Sequence, residues 1–177
     1  MIISTKTYAL ALFEVAHEQG RELEIFDELS SIEEILADKD VRKTLSLTLV
    51  NDKVLEPVWK FLETYYSNET IHFLKILNEA NMVRDFSRIV SSYQDLLIDN
   101  ELLMIVDVRS SRELNDKEKE TLLKSLKEKY QGRYKVSYEL DSQLIKGMVV
   151  SVNNDIYDTS IKGKLDQILS YGGFANE

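Results

Sequence analysis

The stretch Tyr8-Ala-Leu-Ala-Leu-Phe-Glu-Val-Ala16 decides how the chain is read. Wound as a helix at about 3.6 residues per turn, it is apolar in nearly every direction. Ala9, Leu12, Phe13 and Ala16 share one face; Tyr8, Ala11 and Val15 share a second. Only the strip with Glu14 and Glu18 is made for water. A surface helix needs one apolar stripe roughly 100° wide. The surplus means either a central place in a bundle or a second face covered by another chain, and the second reading is the one adopted.

Residues 1–100 continue as helix after helix. The first runs from Ser4 to Gln19 and stops at Gly20, a helix-ending residue. The second, Glu22 to Leu36, sets Leu23, Phe26, Leu29, Ile32 and Leu36 on one side. A short third follows Asp40 through Val41 and Leu45. The fourth starts after Asn51 with Leu55, Val58, Trp59, Leu62 and Tyr66. It holds the one proline, Pro57, which predicts a bend or a helix that begins there. The fifth spans Glu69 to Ala80, and its apolar Phe73, Leu74, Ile76, Leu77 and Ala80 again cover more than one core needs. The sixth, Met82 to Asp99, repeats Val83, Phe86, Ile89, Val90, Tyr93 and Leu97 at helical spacing. Six helices with short links predict a bundle.

The pattern changes near Asp99 to Glu101. Leu102 to Val108 reads as a buried strand. Asn115 with Glu118 reads as a capping box opening a helix with Leu122, Leu123, Leu126 and Tyr130 inward, ended by Gly132. Tyr134, Val136, Tyr138 and Leu140 alternate with polar residues, as do Met148, Val150 and Val152. Asn153-Asn154 turns into a short strand at Ile156 and Tyr157. Ser160 caps a last helix with Ile161, Leu165, Ile168 and Leu169 inward, stopped by Gly172-Gly173. The expected architecture is therefore α+β: a six-helix bundle over residues 1–100, then a small α/β domain over 101–177 with a short mixed sheet.

Composition narrows the function. With 44% hydrophobic and 30% charged residues the chain can bury a core and stay soluble. Having no cysteine, it has no disulfide scaffold and no thiolate site. The net charge of −9 argues against binding nucleic acid through its phosphates and favours a basic protein partner. The basic run from Lys117 to Lys135 is broken by Glu118, Glu120 and Glu128, and reads as a solvated helix face. No stretch approaches the ~20 apolar residues of a membrane span. Met1 to Lys6 lacks the pattern of a targeting peptide, so a cytosolic chain is expected, with any membrane link made through another protein.

Little supports catalysis. There is no Gly-rich phosphate loop and no nucleophile elbow. His17 and His72 have no partner at metal-ligand spacing and read as polar helix residues. Glu33-Glu34, Asp38-Lys39-Asp40 and Asp95 to Glu101 could do acid–base work if buried, but their positions suit solvation or capping. Trp59, Phe61, Tyr65 and Tyr66 could stack bases; without interleaved basic residues they read as core packing. No cofactor, metal or small-molecule substrate is expected.

Three places carry a family likeness: Tyr8-Ala-Leu-Ala-Leu-Phe; Phe73-Leu74-Lys75-Ile76-Leu77; and Asp141-Ser-Gln-Leu-Ile-Lys-Gly-Met-Val-Val-Ser-Val with Tyr157-Asp-Thr-Ser-Ile-Lys-Gly-Lys-Leu165. Over essentially its whole length the chain resembles the delta subunit of the F-type ATP synthase, the bacterial counterpart of the mitochondrial oligomycin-sensitivity-conferring protein. The signature positions matched here are Asp141, Leu144, Gly147, Asp158, Ser160, Lys164 and Leu165. This chain has Lys146-Gly147 where the family usually has two glycines, Thr159 where it usually has one, and Met82 where it often has Arg. The first two bear on turn geometry, because glycine often marks positive φ.

The resemblance implies a non-catalytic stator. Its N-terminal bundle would grip the N-terminal helices of the catalytic head's alpha subunits, and its C-terminal part would join the b subunits of the peripheral stalk. It would lie peripherally at the cytoplasmic face of the cell membrane, a monomer when isolated, and would couple proton flow to ATP synthesis. A partner's amphipathic helix in a groove between the first and fifth helices would cover the surplus apolar face. The expected contact residues are Tyr8, Ala11, Leu12, Val15, Phe73, Ile76 and Ala80. The segment from Asp141 to Gly147 reads as a structural turn rather than a contact. Two other classes remain open: a helical adaptor that binds an amphipathic partner helix in a regulatory complex, and a small α+β hydrolase using carboxylates.

Overall fold

The computed structural model describes residues 4–37 and 52–160. The expected third helix with Val41 and Leu45, the side chain of Leu55, and the last helix with Ile161, Lys164, Leu165, Ile168 and Leu169 lie outside the described residues. What is described is α+β, with helices and a four-stranded mixed sheet. Chain contacts divide into two units, Met1–Asp99 and Asn100–Glu177.

In the first unit, α1 is Thr5–Gln19 and α2 is Glu22–Ala37. Ser4 caps α1 by accepting from the Thr7 N–H, and Gly20 ends it at φ 66. That left-handed turn suits glycine, which has no Cβ to clash. The next helix, α3, is Asp52–Leu62. Pro57 lies inside it, so the helix does not begin there; a proline at that place has no N–H for the carbonyl four residues back. Tyr66 falls beyond the helix end. The fifth expected helix is α4, Asn68–Glu79, capped by Ser67. Glu28 takes the Ser67 N–H at 3.2 Å and its hydroxyl at 2.7 Å, which ties α2 to this cap.

The sixth expected helix is shorter than its pattern. A 3-10 turn, Val83–Asp85, comes first, and α5 runs Phe86–Asp99. Val83 is therefore half-buried in the turn, while Phe86, Ile89, Val90, Tyr93 and Leu97 are buried. α1 packs mainly on α5 and also on α2, and α2 packs on α5. Both α1 and α2 also contact α4.

In the second unit, β1 (Leu103–Ser110) lies inside the sheet order β2-β1-β3-β4. It runs parallel to β2 (Arg133–Leu140) and antiparallel to β3 (Met148–Val152), which pairs antiparallel with β4 (Asp155–Asp158). The parallel pair is joined by α6, Asp116–Lys129, as a parallel crossover requires. The capping box forms: the Glu118 N–H donates to Asn115, and the Asn115 N–H donates to the Glu118 carboxylate, each at 3.0 Å. Met104, Val106, Val108, Val150 and Val152 bury against Leu126, with Leu122 and Tyr130 beside them.

Several expectations fail here for identifiable reasons. Leu123 stands among the charged residues of α6, with Lys119, Glu120 and Lys127. Tyr130, not Gly132, caps the helix. Tyr138 and Leu140 are exposed, because the core reaches only Tyr134 and Val136 on that face of the edge strand β2. Val149 is buried as well as Val150, so β3 is covered on both faces. Ile156 on β4, the other edge, is exposed.

Candidate functional site

The two faces of α1 meet different fates. Ala9, Leu12, Phe13 and Ala16 are the buried residues of the helix. Ala11 and Val15 are exposed, Val15 by 43%, and Tyr8 is half-buried. An open groove of about 380 Å³ runs between α1 and α4. Ala11, Leu12 and Val15 line it from α1; Asn68, Glu69, His72, Phe73 and Ile76 line it from α4. Leu12 and Phe73 reach it from the core, both buried, while Ile76 is 44% exposed.

Five of the seven expected contact residues therefore share one groove. Tyr8 and Ala80 do not line it. Ala80 caps α4, its N–H going to the Ile76 carbonyl at 2.9 Å. Asn68, Glu69 and His72 were not expected. Helical spacing could have found them, since Glu69 and His72 precede Ile76 by seven and four residues.

At one end of the groove Arg21 lies 3.2 Å from Glu69 and 2.8 Å from Glu24. The Glu69 carboxyl is held below its usual range, first by its own backbone N–H and then by Gln19 and Arg21. His17 sits at the end of α1 with Nδ1 2.6 Å from Glu22, its ring stacked on Phe13. His72 faces the groove.

The aromatic residues near α3 depart from the core-packing expectation. Phe61 and Tyr65 are 62% and 67% exposed, with ring centroids 5.1 Å apart, while Trp59 and Tyr66 are half-buried. Phe61 closes the last turn of a helix whose inner face is already taken by Trp59 and Leu62, which line a small apolar cavity with Ile32, Leu36 and Leu74.

Of the signature positions, Asp141, Leu144, Gly147, Asp158 and Ser160 are described; Lys164 and Leu165 are not. The Asp141 carboxylate accepts the Gln143 N–H at 2.9 Å, and the Leu144 N–H returns to the Asp141 carbonyl at 3.1 Å. The segment is thus a turn leading into β3. Gly147, at φ 100, faces Thr159 and Ser160. Arg109 stands 3.6 Å from Asp141. Hydrogen bonds from Ser160, then the charge of Arg109, hold the Asp158 carboxyl below its usual range. Lys146 and Thr159 are not at positive φ, so neither turn needs glycine there.

The family model for "ATP synthase delta (OSCP) subunit" matches residues 5–171. The chain belongs to that family. It is 30% identical over 166 residues to the ATP synthase subunit delta of Rickettsia felis, covering 92% of this chain and 90% of that one. Against the ATP synthase subunit delta of Rickettsia typhi it is 29% identical over 167 residues, covering 92% and 91%. The fold is shared with a chain in the structure of the Toxoplasma gondii mitochondrial ATP synthase hexamer, at TM-score 0.64 and 17% identity, covering 96% and 97%. The delta (OSCP) family is a stator family of the F-type ATP synthase: structural peripheral-stalk subunits that serve ATP synthesis and hydrogen-ion transport without catalysing either. Such a subunit is peripheral to the membrane, and among the described residues no helix is long and apolar enough to cross one.

Proposed function

We propose that this chain links the alpha subunits of the catalytic head to the b subunits of the peripheral stalk, so that the head is held still while proton flow turns the rotor. We assign the head-binding role to the helical residues 1–100 and the stalk-joining role to residues 101–177. The subunit sits at the cytoplasmic face of the cell membrane and is a monomer when isolated. The observation that carries the reading is the open apolar groove between α1 and α4. An amphipathic helix from an alpha subunit's N-terminus laid there would cover Ala11, Val15 and Ile76, which the chain leaves exposed. A tether that resists torque needs slow dissociation, and an apolar centre with a polar rim provides it.

The test is titration calorimetry of the full chain with a peptide from the cognate alpha subunit's N-terminus. Saturable binding is expected, weakened at least about tenfold by Ala11→Asp, equivalent to about 1.4 kcal/mol. Absence of heat at high micromolar peptide would count against the reading.

A further inference from the structure

The groove is apolar along its floor, and carboxylates outnumber cations along its borders. Its lining has one carboxylate, Glu69, and no lysine or arginine. Arg21 does not cancel that charge, because it is shared between Glu69 and Glu24. On the opposite wall, Glu14 and Glu18 follow Ala11 by three and seven residues, and Glu18 follows Val15 by three. That spacing sets both carboxylates along the open edge of the α1 wall. Both are exposed, and neither has an ion-pair partner among the described residues. Lys75 of α4 is turned away to Glu63, at 2.9 Å, and to the face of the Trp59 ring. The whole chain adds a net charge of −9.

We propose that this groove selects an amphipathic helix whose apolar stripe is bordered by lysine or arginine, with Glu14, Glu18 and Glu69 supplying the opposing charge. The inference rests on the reading that a partner helix occupies the groove, and adds which helices it admits. Apolar contact gives the hold. The carboxylates speed encounter with a basic-bordered helix and repel an acidic-bordered one carrying the same stripe. Glu69 lies inside the groove, half-buried, where solvent screens it less than it screens Glu14 and Glu18 at the rim.

The test uses the full chain and two labelled synthetic helices of about five turns. Both carry the same leucine stripe at i, i+3, i+4 and i+7. One has lysines on the borders of the stripe, the other glutamates. Fluorescence anisotropy at low ionic strength is expected to show the lysine helix binding at least about tenfold tighter. The ratio should shrink toward one in ~1 M salt, where screening acts over about 3 Å. In the exposed double variant Glu14→Lys/Glu18→Lys, checked for native circular dichroism, the preference should fall at least about fivefold. Equal binding of the two helices at low salt, or a preference unmoved by the double variant, overturns the charge inference and leaves the groove reading standing. Failure of both helices and of the cognate alpha peptide to bind overturns the groove reading and this inference together.

Discussion

Gly147 stands directly against Ser160: a Cβ on Gly147 would lie 2.8 Å from Ser160 Cα and 2.8 Å from the Thr159 carbonyl oxygen. The backbone there is at φ 100, so a side chain is strained even before it meets its neighbours. Gly147→Ala should therefore destabilise the second unit by about 2–3 kcal/mol. Urea unfolding followed by circular dichroism checks this. The fluorescence of Trp59, the only tryptophan and part of the first unit, should report an unchanged transition.

Ala9 and Ala11 stand two places apart on α1 and should respond oppositely to the same change. Ala9 is fully buried and Ala11 is exposed. Ala9→Asp forces a carboxylate into the core and should cost at least about 3 kcal/mol. Ala11→Asp should cost less than about 1 kcal/mol, mostly helix propensity. Thermal melts of the two variants decide between them.

Tyr93 is buried, with its hydroxyl donating to the Glu22 carbonyl at 3.0 Å and its ring edge-on to Phe13. Tyr93→Phe keeps the packing, loses the bond and should cost about 1 kcal/mol at neutral pH. Burial, then the charge of Glu22, raises the Tyr93 pKa well above its ordinary 10.0. The folded state thus keeps a proton that the unfolded state sheds. That contribution is intact below pH 10 and declines as the pH climbs from there toward the folded-state value. The Phe variant should show a shallower alkaline decline in first-unit stability, read by Trp59 fluorescence.

At the acid end the capping box of α6 responds. Glu118 is held below its usual carboxylate range, first by Arg112 and then by the Asn115 N–H. Its contribution is present above the ordinary glutamate pKa of 4.5 and is lost as the pH falls through the lowered value. Asn115→Ala removes the other half of the box and should destabilise the second unit by about 1 kcal/mol at neutral pH. Denaturant melts between pH 7 and about pH 3 should show the Glu118→Gln variant losing less stability on acidification than the parent.

Phe61 and Tyr65 are exposed aromatics, so Phe61→Ser and Tyr65→Ser should each shift stability by no more than about 0.5 kcal/mol. A loss of several kcal/mol in either melt would restore the core-packing role expected from sequence.

The sequence announced the helices and strands through local signals that survive packing. Ser4, Gly20, Asn115 and Glu118 work as caps because their hydrogen bonds close within a few residues. The two faces of α1 were legible because a helix's period is fixed by its backbone. What was hidden depends on neighbours. Tyr138 and Leu140 alternate like half-buried residues, but no alternation tells that the core stops at Tyr134 and Val136 of the same face. Phe61 and Tyr65 look like core because aromatics usually are, and only the placement of Trp59 and Leu62 turns them outward. Asn68, Glu69 and His72 join the groove because α4 sets them opposite α1, a tertiary fact that a search for apolar faces passes over.

The place of β1 inside the sheet has a consequence for synthesis. It is the first of the four strands to leave the ribosome, yet its neighbours are Arg133–Leu140 and Met148–Val152. At about 5–20 residues per second, a few seconds separate Ser110 from Met148. Helix α6, with its self-contained cap, can form in that interval and bring the parallel partner first. A nascent chain stalled before Met148 carries Val106 and Val108 on a bare ladder edge, the state most open to aggregation and most in need of a chaperone.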